Sequence, residues 1–289
     1  VLDTQKPRTP PVERDRSRLP TAKHALVLVL VSLLLGATAG TAFQLADLLK
    51  GILATEVVCL LAPLAIVLLS GRFSFAATLR LRWPGWRAMA WAIPLAPAAS
   101  ILAGELFWLQ SLVVPVPDWY LSMMESLAAA GRGSSLWLGI LALSVFPALA
   151  EEAVFRGFVL SGLGTRFGVW ATVWLTALLF ALIHVDPYRF LAVFLLGGIL
   201  GFMVVSVESL YPALAVHALN NVFVLLPPEW ARVAGMEWLD GNRNVPAAWL
   251  VGSVAVLFLA CFFLKREGAF GKRRQVLPEM STGPEDRVE

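Results

Sequence analysis

Leu149-Ala150-Glu151-Glu152-Ala153-Val154-Phe155-Arg156-Gly157 sets two adjacent carboxylates and a guanidinium inside an apolar run. More than a dozen largely apolar residues precede the pair. An ionised carboxylate at mid-membrane depth costs ~2.5–3.5 kcal/mol on insertion scales. Two such groups need compensating partners or a use, and the rest of the chain has to supply them.

The surroundings make the membrane setting clear. Of the 289 residues, 58% are hydrophobic and 15% charged, and the mean hydropathy is +0.74. A soluble globular domain does not have this balance. The composition predicts an all-α fold, a polytopic integral membrane helical bundle in one domain. The formal net charge of +3 is small, and the basic residues gather at the termini and in one loop. That distribution points to membrane orientation rather than to nucleic acid as a partner. Cys59 and Cys261 lie in apolar runs and form neither a metal pattern nor a disulfide framework. They read as small buried thiols.

Residues 1–24 are polar, Pro-rich and Arg-rich and read as a disordered basic tail. A transmembrane domain follows over 25–266, and residues 267–289 form a second polar tail. Within the domain the hydropathy predicts about eight transmembrane helices, at 25–45, 52–69, 88–113, 136–160, 169–185, 190–207, 210–226 and 247–264. Most Lys and Arg residues fall on the side of the two tails, which predicts cytoplasmic N- and C-termini. Ala37-Thr38-Ala39 resembles a signal-peptidase site, but the polar leader before it is long, so the first span is read as retained. Between spans three and four, Pro115, Pro117, Asp118, Trp119, Tyr120, Met123 and Met124 form an aromatic, semi-apolar segment. It is expected along the interface, as a plain loop or as cover for an entrance. Trp83, Trp86 and Trp91 mark a membrane boundary.

Three histidines are present, and His184 and His217 lie within apolar segments. A histidine inside a span faces the protein interior and needs a partner. Glu152 and Arg156 are four apart, so they share a helical stripe and can pair. Glu151 is turned about 100° away, which leaves it available for chemistry. Phe180-Ala181-Leu182-Ile183-His184 places a ring where it can wedge the imidazole, and His217-Ala218-Leu219-Asn220-Asn221 repeats the spacing. Asn220 falls off that stripe. Glu151 and His184 are equidistant from Arg166-Phe167-Gly168, where a turn is expected, so a hairpin brings them to one depth. His217 lies only about eight residues from the Ser209 turn, so tilt or a higher turn must bring it level with them. Taken singly, each group has a plainer role: Glu152–Arg156 a structural ion pair, His184 a satisfied core histidine, Asn221 helix–helix glue. Their joint occurrence carries the functional reading. Glu56 and Glu105 are expected at edges or interfaces, with a cavity-lining role open to Glu105.

Glu151-Glu152-x-x-x-Arg156, Phe180-x-x-x-His184 and His217-x-x-x-Asn221 together resemble the three motifs of the CPBP family of intramembrane proteases. That family includes type II CAAX prenyl endopeptidases and bacteriocin-processing enzymes, also called Abi proteins. The resemblance covers residues 136–226, under a third of the chain. It implies a polar cavity within the bilayer and hydrolysis of a peptide bond in a membrane-associated peptide or protein substrate. By that resemblance Glu151 activates water, His184 and His217 join it, and Asn221 stabilises the oxyanion, with Glu152, Arg156 and Phe180 in support.

The chemistry agrees with the residue types. Amide hydrolysis needs a base for water and donors for the developing oxyanion. Zinc is possible on Glu151, His184 and His217. The His-Glu-x-x-His pattern is missing, and a mechanism with no cofactor is expected. Two other functions fit the same groups. A proton-coupled transporter uses intramembrane Glu and His relays, although no internal repeat of the carrier kind is evident. A catalytically silent scaffold that binds a membrane partner has no need of this reactive set. An Ala-, Leu- and Arg-rich chain without eukaryotic sorting signals fits a bacterial plasma membrane.

Overall fold

A computed structural model describes residues 19–133, 135–225 and 244–267. Most of the two polar tails, and the termini whose side of the membrane was predicted, lie outside the described residues. Every long element among the described residues is helical. We number them α1 (Ala22–Ala46), α2 (Leu48–Ser70), α3 (Trp86–Ser111), α4 (Asp118–Arg132), α5 (Leu136–Leu163), α6 (Val169–Ile183), α7 (Phe190–Val207), α8 (Tyr211–Val222) and α9 (Ala247–Glu267).

Six of these helices, α1, α2, α3, α5, α7 and α9, are long and apolar enough to cross a bilayer. The protein is therefore an integral membrane helical bundle. Eight spans were expected, and the remaining two segments are short. Helix α6 has 15 residues, about 22 Å at 1.5 Å per residue. Helix α8 has 12, about 18 Å. A hydrocarbon core is ~30 Å thick. These two short helices carry the histidine motifs.

Two apolar cores hold the bundle together. One joins α3, α7, α8 and α9 through Leu95, Ala99, Leu200, Met203, Val216 and Leu264. The other joins α1, α2, α5 and α6 through Leu28, Leu64, Val154, Phe158 and Phe180. Helices α6 and α7 approach closely because α7 presents glycine. A Cβ on Gly197 would lie 3.0 Å from the Cα of Ala177, and one on Gly198 would run into the Trp174 ring. Small residues at such a contact let two backbones pack within the membrane.

Helix α5 is not a regular α-helix. It widens into π-helical turns at Leu141–Val145 and Ala153–Val159, the second immediately after the glutamate pair. Such turns disturb the local hydrogen-bond ladder and are frequent at functional sites. Arg80, from the loop between α2 and α3, reaches this region. It donates to the carbonyls of Arg156 (3.1 Å) and Gly157 (3.5 Å) and to Ser161 Oγ (2.7 Å). Its own carbonyl accepts the Leu210 N–H at 3.2 Å, tying in the turn between α7 and α8.

The interfacial segment before α5 is a helix, α4. Trp119 is exposed on it while Tyr120 is buried. Both cysteines are free thiols, Cys59 buried and Cys261 half-buried.

Candidate active site

Helix α5 ends beyond Leu163 and α6 begins at Val169, so the chain reverses where the hairpin spacing requires. His184 then sits at the C-terminal end of α6, with Nε2 4.0 Å from Glu151 Oε2. His217 comes closer still, with its Nε2 at 3.7 Å from the same oxygen. The depth left open for His217 is supplied by a buried turn. Ser209 and Leu210 lie inside the protein, and Glu208 ends α7 in the left-handed conformation.

The two glutamates meet opposite nitrogens of one imidazole. Glu152 Oε1 lies 2.8 Å from His217 Nδ1 and 2.7 Å from Arg156 Nη1. That oxygen accepts from the Arg156 guanidinium and is placed to accept from His217 Nδ1 as well. Arg156 is itself fully buried and gives a second bond to the Gly197 carbonyl at 3.2 Å. The structural ion pair expected from the spacing is present, and it also orients a histidine. The sequence spacing within α5 held no sign of that longer-range bond.

His184 is fixed in a parallel way. Its Nδ1 is 2.7 Å from the Phe180 carbonyl, an oxygen that can only accept, so Nδ1 again carries the proton. The Phe180 ring stands edge-on to both imidazoles, at 4.7 Å from His184 and 5.9 Å from His217. The Arg156 guanidinium lies over its face at 4.1 Å. The expected wedge on His184 is therefore shared among three groups.

With both Nδ1 atoms committed, each imidazole turns its Nε2 toward Glu151. Glu151 Oε2 has no hydrogen-bond partner among the described residues. Three acceptors converge on a space that needs a donor. Asn221 lies one helical turn past His217 on the same stripe, half-buried. Its neighbour Asn220 points to another helix and accepts from Ser100 Oγ at 2.7 Å.

Two outlying glutamates are placed differently from each other. Glu56 on α2, expected at an edge or interface, is 7% exposed, and one carboxylate oxygen is unpartnered among the described residues. Glu56 lies in the stretch of α2 that packs against the part of α5 carrying the glutamate pair. An isolated acid on a separate span gives no sequence signal of that proximity. Glu105 instead accepts the Val245 N–H at 2.7 Å, which anchors the segment entering α9.

Ligand atoms around tetrahedral zinc, at ~2.0–2.1 Å from the ion, stand about 3.3–3.4 Å apart. The separations of 3.7 and 4.0 Å here are wider. No group of three His, Cys, Asp or Glu side chains among the described residues is gathered closely enough to hold a metal.

Glu151 and the imidazoles of His184 and His217 thus come together within an integral membrane bundle, with Asn221 one turn beyond His217. Residues 133–223, about a third of the chain, match the family model described as type II CAAX prenyl endopeptidase Rce1-like. That match supports membership of the CPBP intramembrane proteases, and with it a CAAX-type endopeptidase activity in general. No curated protein and no solved structure gave a significant match. The match covers all three motifs and leaves α1, α2, α3 and Glu56 outside it.

Proposed function

We propose that the protein hydrolyses a peptide bond of a membrane-associated substrate, with Glu151 as the base that activates water. The observation that carries this reading is the convergence of three acceptors, Glu151 Oε2 and the two Nε2 atoms, on one space. A water there donates one hydrogen to Glu151 and the other to an imidazole. Glu151 takes a proton as the water oxygen bonds to the carbonyl carbon. Asn221, through its amide N–H, stabilises the oxyanion. The C–N bond then breaks as the oxyanion collapses to a carboxyl group and Glu151 returns its proton to the leaving nitrogen. Glu152 and Arg156 hold His217 in the required tautomer.

No step is routed through a metal. The family description names a prenyl endopeptidase, so a lipid-modified protein C-terminus is the first substrate to try. We propose a bacterial plasma membrane as its location, which the Ala-, Leu- and Arg-rich composition fits.

The test compares wild type and Glu151→Gln in membranes, using a fluorogenic lipid-modified peptide and a panel of membrane-anchored proteins. Cleavage by wild type and its loss in the variant support the reading. Cleavage that persists in Glu151→Gln ends it, and proton-coupled flux without proteolysis in liposomes points to a transporter. Treatment with a zinc chelator should leave cleavage intact. Loss of activity that zinc restores would replace the metal-free mechanism.

A further inference from the structure

The segment just after His184 is held by residues that none of the three motifs contains. Val185 follows directly and adopts a left-handed backbone (φ 49°). A β-branched residue is strained there, so the turn depends on contacts beyond its own sequence. Asp186 provides the first of them. Its Oδ1 accepts the backbone N–H groups of Tyr188 (3.0 Å) and Arg189 (3.2 Å). Its Oδ2 accepts from Arg189 Nε at 2.8 Å and from the Tyr120 hydroxyl at 2.5 Å.

Tyr120 belongs to α4, the amphipathic helix expected at the interface. A second tie comes from α3. The Gln110 side chain donates to the Pro187 carbonyl and accepts the Leu191 N–H at 2.8 Å. Tyr120 and Gln110 are both buried although the loop they hold is polar. Burial acts to raise the Asp186 pKa, but the Tyr120 hydroxyl and the Arg189 guanidinium outweigh it and hold it below the usual value. Asp186 is thus a firm carboxylate acceptor at the centre of the knot.

The loop has consequences for chemistry because His184 is the residue before it. The imidazole takes its orientation from the Phe180 carbonyl inside α6. The direction in which α6 ends depends on where the next five residues are pinned. We propose that Tyr120 and Asp186 are positioning residues, whose hydroxyl–carboxylate bond latches α4 onto the loop after His184 and keeps Nε2 directed at Glu151. An interfacial helix is thereby mechanically joined to the reacting centre. The inference rests on the assignment of His184 to that centre.

A packing role for Tyr120 is the alternative, since its ring meets Tyr188 at 4.7 Å and Trp119 at 5.9 Å. Tyr120→Phe keeps the ring and removes only the hydroxyl, whereas Tyr120→Ala removes both. The full chain is assayed in membranes as wild type, Tyr120→Phe, Tyr120→Ala, Asp186→Asn and the Tyr120→Phe/Asp186→Asn double variant. The latch predicts that Tyr120→Phe lowers kcat about tenfold, as expected when a reacting group is displaced. KM and thermal stability in detergent stay unchanged, and the double variant is no slower than Asp186→Asn. Wild-type kcat in Tyr120→Phe with impairment only in Tyr120→Ala would assign the ring to packing and overturn the latch.

A second readout needs no substrate. Diethyl pyrocarbonate labelling of His184, followed by mass spectrometry, should be faster in Tyr120→Phe than in wild type, and equal rates overturn the latch. Persisting cleavage in Glu151→Gln would overturn the proposed function, while the labelling comparison would still judge the latch.

Discussion

The two sides of His217 are built on opposite principles. On the Nδ1 side lies a dry cluster: Glu152 and Arg156 are fully buried, bonded at 2.7 Å, and closed off by Phe180. On the Nε2 side lies Glu151, whose side chain is 15% exposed where that of Glu152 is fully buried. Neighbouring residues of identical chemistry thus receive different work from one helical step. The closed side supplies a fixed charge arrangement, and the open side keeps a carboxylate able to take a proton.

This contrast can be broken from either side. Glu151→Gln is expected to have the largest effect, a loss of cleavage of up to about 10⁴-fold, the upper end of the 10²–10⁴ range for a general base. Its folded yield and thermal stability should match wild type. Glu152→Gln should show the reverse emphasis. Removing one partner of a buried ion pair costs about 3–5 kcal/mol, so detergent thermal unfolding should shift downward together with activity. Equal stability of the two variants would erase the distinction between the sides.

Smaller changes sharpen it. Asn221→Ala should lower kcat by about 10²–10³-fold, as for loss of an oxyanion donor, with KM little changed. Arg80→Gln leaves carbonyls of the widened turn in α5 without their donor and should cost about 1–3 kcal/mol in thermal unfolding. Glu56→Gln is expected to raise stability by about 1 kcal/mol, because it relieves a buried acid with an unpartnered oxygen. A loss of activity in that variant, measured alongside, would draw Glu56 into the open side.

Local spacing carried much of this arrangement. The four-residue interval predicted the Glu152–Arg156 bond and the Phe180–His184 contact, and both are present. Distance from the turn at Arg166-Phe167-Gly168 predicted the level meeting of Glu151 and His184, because helical rise converts residue counts into depth. Long-range contacts were beyond such counting. The Glu152–His217 bond joins residues 65 apart, and the approach of Glu56 depends on how α2 packs on α5. The buried turn before α8 was also hidden, since Glu208-Ser209 looks polar in sequence yet Ser209 is inaccessible. Its enclosure is what carries His217 to the required level.

Phe180 borders Arg156, His184 and His217 with a single ring. A substitution there cannot be assigned to one neighbour, because replacing the ring loosens an anchored cation and two bases at once. Genetic screens should therefore find this position intolerant even to apolar replacements of similar volume, and that intolerance would come from the flat outline of an aromatic side chain rather than from its hydrophobicity.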